Sequence, residues 1–127
     1  MRQFRARRPF ETVHMLDISE DYTGDVAVLG LGGRLDALTA PELRPLIDKL
    51  IAEHRQHVIF DLKELETVDS SGVGAIVSLF KRLRMIGGDL KIARLTGQPK
   101  EIFRLLRLDR AFDLFDTVEA ALKKIKR

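Results

Sequence analysis

The chain has 127 residues, the size of one domain, and its 45% hydrophobic and 32% charged residues suit a packed core rather than a disordered chain. It has no cysteine, which excludes a disulfide scaffold, a cysteine-ligated zinc site and a thiol nucleophile. The formal net charge of +3 comes mainly from arginines and lysines at the two ends, which we expect to be solvated.

Residues 1–12 are interpreted as a basic N-terminal tail, expected to be mobile, and residues 13–127 as one domain. No apolar run approaches the roughly 20 residues that a membrane span needs, so we expect no stable membrane insertion. The lack of cysteine is compatible with the cytoplasm, where we expect the protein to act.

The first half of the domain begins with a predicted hairpin. Residues 13–18 and 26–31 are predicted to be antiparallel strands joined by the turn residues 22–25. Gly32 and Gly33 are expected to break the second strand. Thr39 is a predicted helix N-cap, because apolar residues then recur at helical spacing. These residues are Leu43, Leu46, Ile47, Leu50 and Ile51.

The middle of the chain contains the clearest strand and helix. Residues 57–62 are apolar and rich in β-branched side chains, which is typical of a buried strand. Residues 71–86 have an apolar stripe at helical spacing, and Gly87 and Gly88 supply the chemistry that ends a helix. The segment between this strand and this helix is interpreted as a connection.

The remaining elements continue the alternation of strands and helices. They are strands at 90–95 and 114–115, and helices at 99–108 and 118–125, the last capped by Thr117. In the helix at 99–108, Ile102, Leu105 and Leu106 are expected to face inward. The resulting order predicts an α/β fold with a mixed sheet of four to five strands. Its first hairpin is antiparallel, the later strands are parallel with right-handed crossovers, and about four helices flank the sheet.

Functional residues in such folds lie where strands end and helices begin. Asp69, Ser70, Ser71 and Gly72 occupy such a place. A serine there can cap the helix, which is worth about 1 kcal/mol, and Asp69 could cap it equally well. A serine could instead accept a phosphate, because the free N–H groups and the dipole of a helix start favour an anion. The residues alone leave both roles open.

The turn also carries a family resemblance. The sequence Val-Asp-Ser-Ser-Gly-Val-Gly at 68–74, entering a helix, resembles the signature of the STAS-domain anti-sigma factor antagonists. Three other segments resemble the same family, namely residues 31–43, 58–62 and 115–122. The resemblance extends from about residue 13 to residue 125 and implies a STAS-like fold.

The resemblance implies a partner switch without catalysis by this chain. The unmodified antagonist binds an anti-sigma factor with serine kinase activity, is released when that kinase phosphorylates it, and is restored by a serine phosphatase. The acceptor corresponds to Ser70, with Ser71 as the fallback acceptor or a cap. Glycines in the motif would let the partner approach the backbone. The implied partner-binding residues are Asp36, Thr39, Asp69, Ser70, Ser71, Gly72 and Gly74.

Other functions find less support in the sequence. No Ser–His–acid set is apparent, and His14, His54 and His57 lack metal-ligand spacing, so we expect no catalytic residues, no metal and no cofactor. Aromatic residues are not interleaved with the basic ones, which argues against nucleic-acid binding. Two alternatives stay open: a STAS scaffold in a stressosome-like or membrane-transport complex, and a small-ligand or nucleotide sensor using the Asp36–Ser70 surface.

Overall fold

The computed structural model describes residues 2–4 and 16–125. The strands are β1 (Arg2–Phe4), β2 (Leu16–Thr23), β3 (Val26–Leu35), β4 (His57–Asp61), β5 (Leu65–Val68), β6 (Asp89–Ala93) and β7 (Leu114–Phe115). The α-helices are α1 (Leu43–Ala52), α2 (Ser70–Met85), α3 (Gly97–Leu105) and α4 (Val118–Ile125). Short 3₁₀ turns cover Ala40–Glu42 and Leu108–Arg110.

The strands form one mixed sheet in the order β1-β2-β3-β4-β6-β7, and β5 pairs with β3 farther along that strand. The pairs β1–β2 and β2–β3 are antiparallel, and all the others are parallel. The predicted α/β fold is therefore confirmed, although the described residues contain seven strands rather than four or five. Strand β1 falls within the predicted tail, whose other residues lie outside the described part, as do residues 13–15.

The core lies on both faces of the sheet. One face packs against α1, α2 and α3 through a large apolar cluster that includes Leu29, Ile47, Ile76 and Phe103. The other face packs against α4 through a smaller cluster around Ile59. Because successive strand residues point to opposite faces, strands buried on both sides show the continuous apolar runs that made them recognisable in the sequence.

The expectation that Gly32 and Gly33 end β3 is wrong. The strand continues to Leu35, and the pairing register shifts between Gly33 and Arg34. Gly33 has a positive φ of 91°, a backbone geometry that glycine adopts without steric cost, and its N–H donates to the Glu64 carbonyl at 3.0 Å. The two glycines therefore mark an irregularity inside a long strand.

Helix α3 is shorter than predicted, and its end faces solvent. Phe103 is buried, but Leu105 and Leu106 are 73% and 54% exposed, so the expectation that both face inward is wrong. The helix stops at Leu105, and Arg107 then takes a left-handed conformation with φ of 59°. Leu105 is two residues after buried Phe103, about 200° around the helix, so it points away from the core, and Leu106 follows the last helical residue.

Candidate functional site

The site forms where two parallel strands end side by side. Leu35 at the end of β3 is paired with Val68 at the end of β5. The next residues, Asp36 and Asp69, consequently lie at the same edge of the sheet, and the Asp69 N–H donates to the Leu35 carbonyl at 3.3 Å. Strand β5, which the sequence analysis took for a connection, is what brings the two aspartates together.

Asp69 caps helix α2. Its backbone is extended, and its carboxylate accepts the Gly72 N–H at 3.0 Å, while its carbonyl accepts the Val73 N–H at 2.9 Å. Ser70 and Ser71 are the first two residues inside the helix, and both are exposed. The capping role considered for the serines thus belongs to the aspartate, and the hydroxyl groups are left at the surface.

The two glycines of the motif occupy different environments. Gly72 is buried, and a Cβ placed on it would lie 2.3 Å from the Leu35 carbonyl oxygen and 2.6 Å from a methyl group of Val68. Gly74 is exposed, and a Cβ there would meet nothing within 4 Å. Gly72 therefore permits α2 to approach the ends of β3 and β5, and of the two glycines only Gly74 leaves backbone open to a partner.

The loop after β3 is held by a network around Asp36. The carboxylate accepts the N–H groups of Leu38 and Thr39 at 3.0 and 3.2 Å, and Arg34 contacts it at 3.4 Å. Desolvation opposes the charged carboxylate, but these hydrogen bonds outweigh it and hold the pKa of Asp36 below its ordinary value. The loop is therefore ordered around an ionised carboxylate.

Thr39 supports this loop from below. It precedes the 3₁₀ turn as predicted for a cap, but its side chain makes no capping hydrogen bond. Its hydroxyl instead donates to the Arg34 carbonyl at 2.8 Å and accepts the Asp36 N–H at 2.9 Å. Because Thr39 is fully buried, it shapes the surface that Asp36 presents without being part of that surface.

Two residues of the site were missed by the sequence analysis. Leu38, between Asp36 and Thr39, is 65% exposed and adds an apolar side chain to the surface of the site. Gln98 in α3 holds the backbone of Val68 with both ends of its amide: it accepts the Val68 N–H at 2.9 Å and donates to the Val68 carbonyl at 3.0 Å. An exposed leucine has a faint signal in the sequence, but the Gln98 contact spans thirty residues and has none.

The site combines two acidic side chains, two exposed hydroxyl groups and an exposed leucine beside a helix start. Within residues 2–4 and 16–125 no group of three or more histidine, aspartate or glutamate side chains could hold a metal ion. Over the same residues no helix has the length and apolar character needed to cross a membrane. What the site offers is two accessible hydroxyl groups at a helix start that Asp69 caps.

Comparisons with known proteins agree with this architecture. The model of the STAS domain family matches residues 18–121. The anti-sigma-F factor antagonist RsfB of Mycobacterium tuberculosis is 32% identical over 111 residues, which cover 84% of this chain and 85% of RsfB. A solved anti-sigma factor antagonist from Mycobacterium paratuberculosis superimposes with a TM-score of 0.77 at 21% identity, covering 91% of this chain and 98% of that one. The phosphorylated form of the Bacillus cell fate determinant SpoIIAA gives a TM-score of 0.69 at 22% identity, covering 88% and 100%.

Proposed function

Since the chain belongs to the STAS domain family, we propose that it acts as an anti-sigma factor antagonist that is switched off by phosphorylation of Ser70. Its similarity to RsfB, which is named an antagonist of the anti-sigma-F factor, supports the general role. In this role the unmodified protein binds an anti-sigma factor with serine kinase activity and thereby frees a sigma factor. The proposal places the protein in the cytoplasm, together with the transcription machinery.

The observation that carries the proposal is that the helix cap and the candidate acceptor at the start of α2 are different residues. Asp69 caps the helix, so the Ser70 hydroxyl is exposed and is not required for the fold. A phosphate on Ser70 would lie at the positive end of the helix dipole, next to N–H groups of the first turn. The domain can therefore carry the phosphate without rearranging its core, and solved SpoIIAA provides a structural neighbour in a phosphorylated form.

The chemistry of the switch belongs to the partners. The Ser70 hydroxyl loses its proton to a base of the kinase, its oxygen bonds to the γ-phosphorus of ATP, and ADP leaves. A serine phosphatase hydrolyses the phosphoester with water and restores the hydroxyl. The chain is the substrate in both steps and has no catalytic role in either.

Release follows from charge and bulk at the docking surface. A phosphate adds about −1.5 to −2 charges at neutral pH, next to the carboxylates of Asp69 and Asp36. A partner seated on Leu38, Asp36 and Gly74 would then face a bulky anion where it previously met a hydroxyl. Thr39 and Gly72 contribute from beneath, since both are buried. Ser71 remains the fallback acceptor.

The test is to incubate the protein with the anti-sigma factor kinases of its own organism, ATP and magnesium, and to locate the phosphate by mass spectrometry. We expect phosphate on Ser70 in the wild type and in Ser71→Ala, and none in Ser70→Ala. In a binding assay Ser70→Ala should hold the kinase as tightly as the wild type, and Ser70→Asp should hold it at least about tenfold more weakly. Phosphate confined to another residue, or tight binding by Ser70→Asp, would overturn the proposal.

A further inference from the structure

A groove of about 450 Å³ starts at the turn formed by residues 68–72, which we call the switch turn, and follows α2. It lies between α2 and the segment that opens α1, and on α2 it extends from Ser71 to Arg82. The twelve residues from Ser71 to Arg82 cover about 16 Å of helix axis, so the groove is elongated. An elongated cleft along a helix suits a partner element that inserts several side chains in a row.

The groove is apolar along its length and basic at its rim. Ala40, Pro41, Ala75 and Leu79 supply apolar lining, and Ser71 of the switch turn lies at one end. Among the described residues that line it, the charged ones are Arg44 and Arg82. Arg44 is exposed, and Arg82 is half-buried and pairs with Asp48 on the outer side of α1. Asp48 offsets part of the charge of Arg82, and Arg44 leaves the groove with net positive charge beside an apolar floor.

We propose that this groove receives an acidic amphipathic helix of the partner protein. Apolar side chains at helical spacing would enter between Pro41 and Leu79, and flanking carboxylates would meet Arg44 and Arg82. Arginine is well suited to this role because its planar guanidinium binds carboxylates through two parallel hydrogen bonds. The inference rests on the proposed function, because it assigns the partner a helix that docks beside Ser70.

An acidic occupant would also explain why phosphorylation releases the partner. Ser71, which lines the groove, directly follows Ser70. Electrostatic interactions in physiological salt extend over about 8 Å, so a phosphate on Ser70 acts on the near part of the groove. It would repel an acidic helix and attract a basic one. The sign of the partner's charge thus decides whether modification weakens or strengthens docking.

The experiment uses synthetic peptides, so that it does not depend on knowing the partner. The first peptide is an amphipathic helix of about eighteen residues with leucines on one face and glutamates flanking that face. The second peptide is the same except that lysines replace the glutamates. Each is titrated into ¹⁵N-labelled protein. We expect the glutamate peptide to shift the amide signals of Ala40, Ala75 and Ser78, and the lysine peptide to bind at least about fivefold more weakly.

Variants of the protein locate the effect. The double variant R44E/R82E should weaken binding of the glutamate peptide about tenfold, and Arg44→Glu alone should weaken it by less. The single variant keeps the pair between Arg82 and Asp48, so it guards against a folding defect caused by losing that pair. The control K123E/K124E makes the same change in net charge on α4, across the sheet, and should bind like the wild type. Ser70→Asp should weaken binding of the glutamate peptide about threefold.

Equal binding of both peptides, undetectable binding of the glutamate peptide, or signal changes confined to other surfaces would overturn the inference. A failure of the proposed function is recognised separately. It would appear as no phosphate on Ser70 in the kinase assay, whatever the peptides do. Conversely, phosphorylation of Ser70 with no peptide in the groove would preserve the function and reject the acidic helix.

Discussion

Helices α2 and α4 both start beside a hydroxyl-bearing residue, yet the two starts are built differently. In α4 the hydroxyl oxygen of Thr117 accepts the Ala120 N–H at 3.0 Å, so the hydroxyl itself is the cap. In α2 the carboxylate of Asp69 accepts the Gly72 N–H, and the hydroxyl of Ser70 lies outside this bond. A hydroxyl that caps a helix cannot be modified without losing the cap. Modification of the Ser70 hydroxyl would leave the cap of α2 in place, because Asp69 supplies it.

The two starts also differ in how firmly they are attached to the sheet. The α2 start follows a paired strand, and the Asp69 N–H donates to the Leu35 carbonyl. The side chain of Gln98 also hydrogen-bonds the backbone of Val68, the last residue of that strand. The α4 start follows the two-residue strand β7 and packs on the smaller apolar cluster. If Ser70 is modified as proposed, the first arrangement would limit local unfolding at the α2 start.

The largest effect is expected at the contact between α2 and β3. In Gly72→Ala the new methyl group would overlap the Leu35 carbonyl, which is backbone and cannot move aside as a side chain could. We expect a loss of about 3 kcal/mol in the free energy of unfolding, measured by urea denaturation. The matched control is Gly74→Ala, two residues along the same helix, where the added methyl group meets open space.

Gly74→Ala should raise the free energy of unfolding by up to about 1 kcal/mol, because alanine favours the helix more than glycine does. Opposite signs for the two substitutions would show that the close approach at Gly72, and not glycine content in general, attaches α2. Similar small effects at both positions would contradict the close packing of α2 on β3.

The second effect concerns Gln98. In Gln98→Ala the N–H and carbonyl of buried Val68 lose their partners, and we expect a loss of about 2 kcal/mol in the free energy of unfolding. Gln98→Glu can still accept the N–H but sets a carboxylate oxygen against the Val68 carbonyl, so we expect it to lose stability as well. Amide exchange of Val68 and Asp69 should quicken in both variants, while that of Ala120 should change little. An equal increase in exchange rate at the starts of α2 and α4 would argue against a local role for Gln98.

The sequence predicted long, periodic elements better than short or nonlocal ones. Helix α2 was predicted to within one residue at each end, because its apolar stripe is long and its glycine stop is strong. The stop is confirmed by the Gly88 N–H bond to the Leu83 carbonyl at 2.8 Å. Strand β5 was missed because its buried residues, Leu65 and Val68, are three apart and show no alternation.

The composition of the site was predicted more fully than its construction. The motif points to residues 68–74, whose functional role stays a prediction, and their burial depends in part on contacts with other strands. Gly72 is buried because of Leu35, and Thr39 is buried because its hydroxyl bonds to the carbonyl of Arg34. The contact between Gly72 and Leu35 joins distant parts of the chain, and no local pattern records it.

The third effect compares the two caps directly. Asp69→Ala and Thr117→Ala should each cost about 1 kcal/mol of unfolding free energy, because each removes a side-chain acceptor for a first-turn N–H. Ser70→Ala should stay within about 0.5 kcal/mol of the wild type, because the exposed hydroxyl is not the cap. Thermal unfolding of the three variants provides the measurement. A loss for Ser70→Ala as large as that for Asp69→Ala would mean that the serine has a structural role.

The smallest effect is the pH dependence contributed by Asp36. The hydrogen bonds from Thr39 and Leu38 hold the pKa of this carboxyl below its ordinary value of 3.8. A carboxyl with a lowered pKa stabilises the fold above its unfolded pKa, and this contribution is lost as the pH falls through the folded pKa. The stability of the wild type should therefore decline below about pH 4, and Asp36→Asn should decline less steeply over the same range.

The control for the acid titration is Ser70→Ala, which removes no charge from the same edge and should keep the slope of the wild type. Because Asp36 orders the loop that follows Leu35, and Leu35 accepts the Asp69 N–H, acid should lower the amide protection factor at Asp69 before it lowers that at Ala120. An unchanged slope in Asp36→Asn would mean that the loop does not depend on the ionised carboxylate. Earlier opening at Ala120 would reverse the comparison and make α4 the start that is coupled to acid.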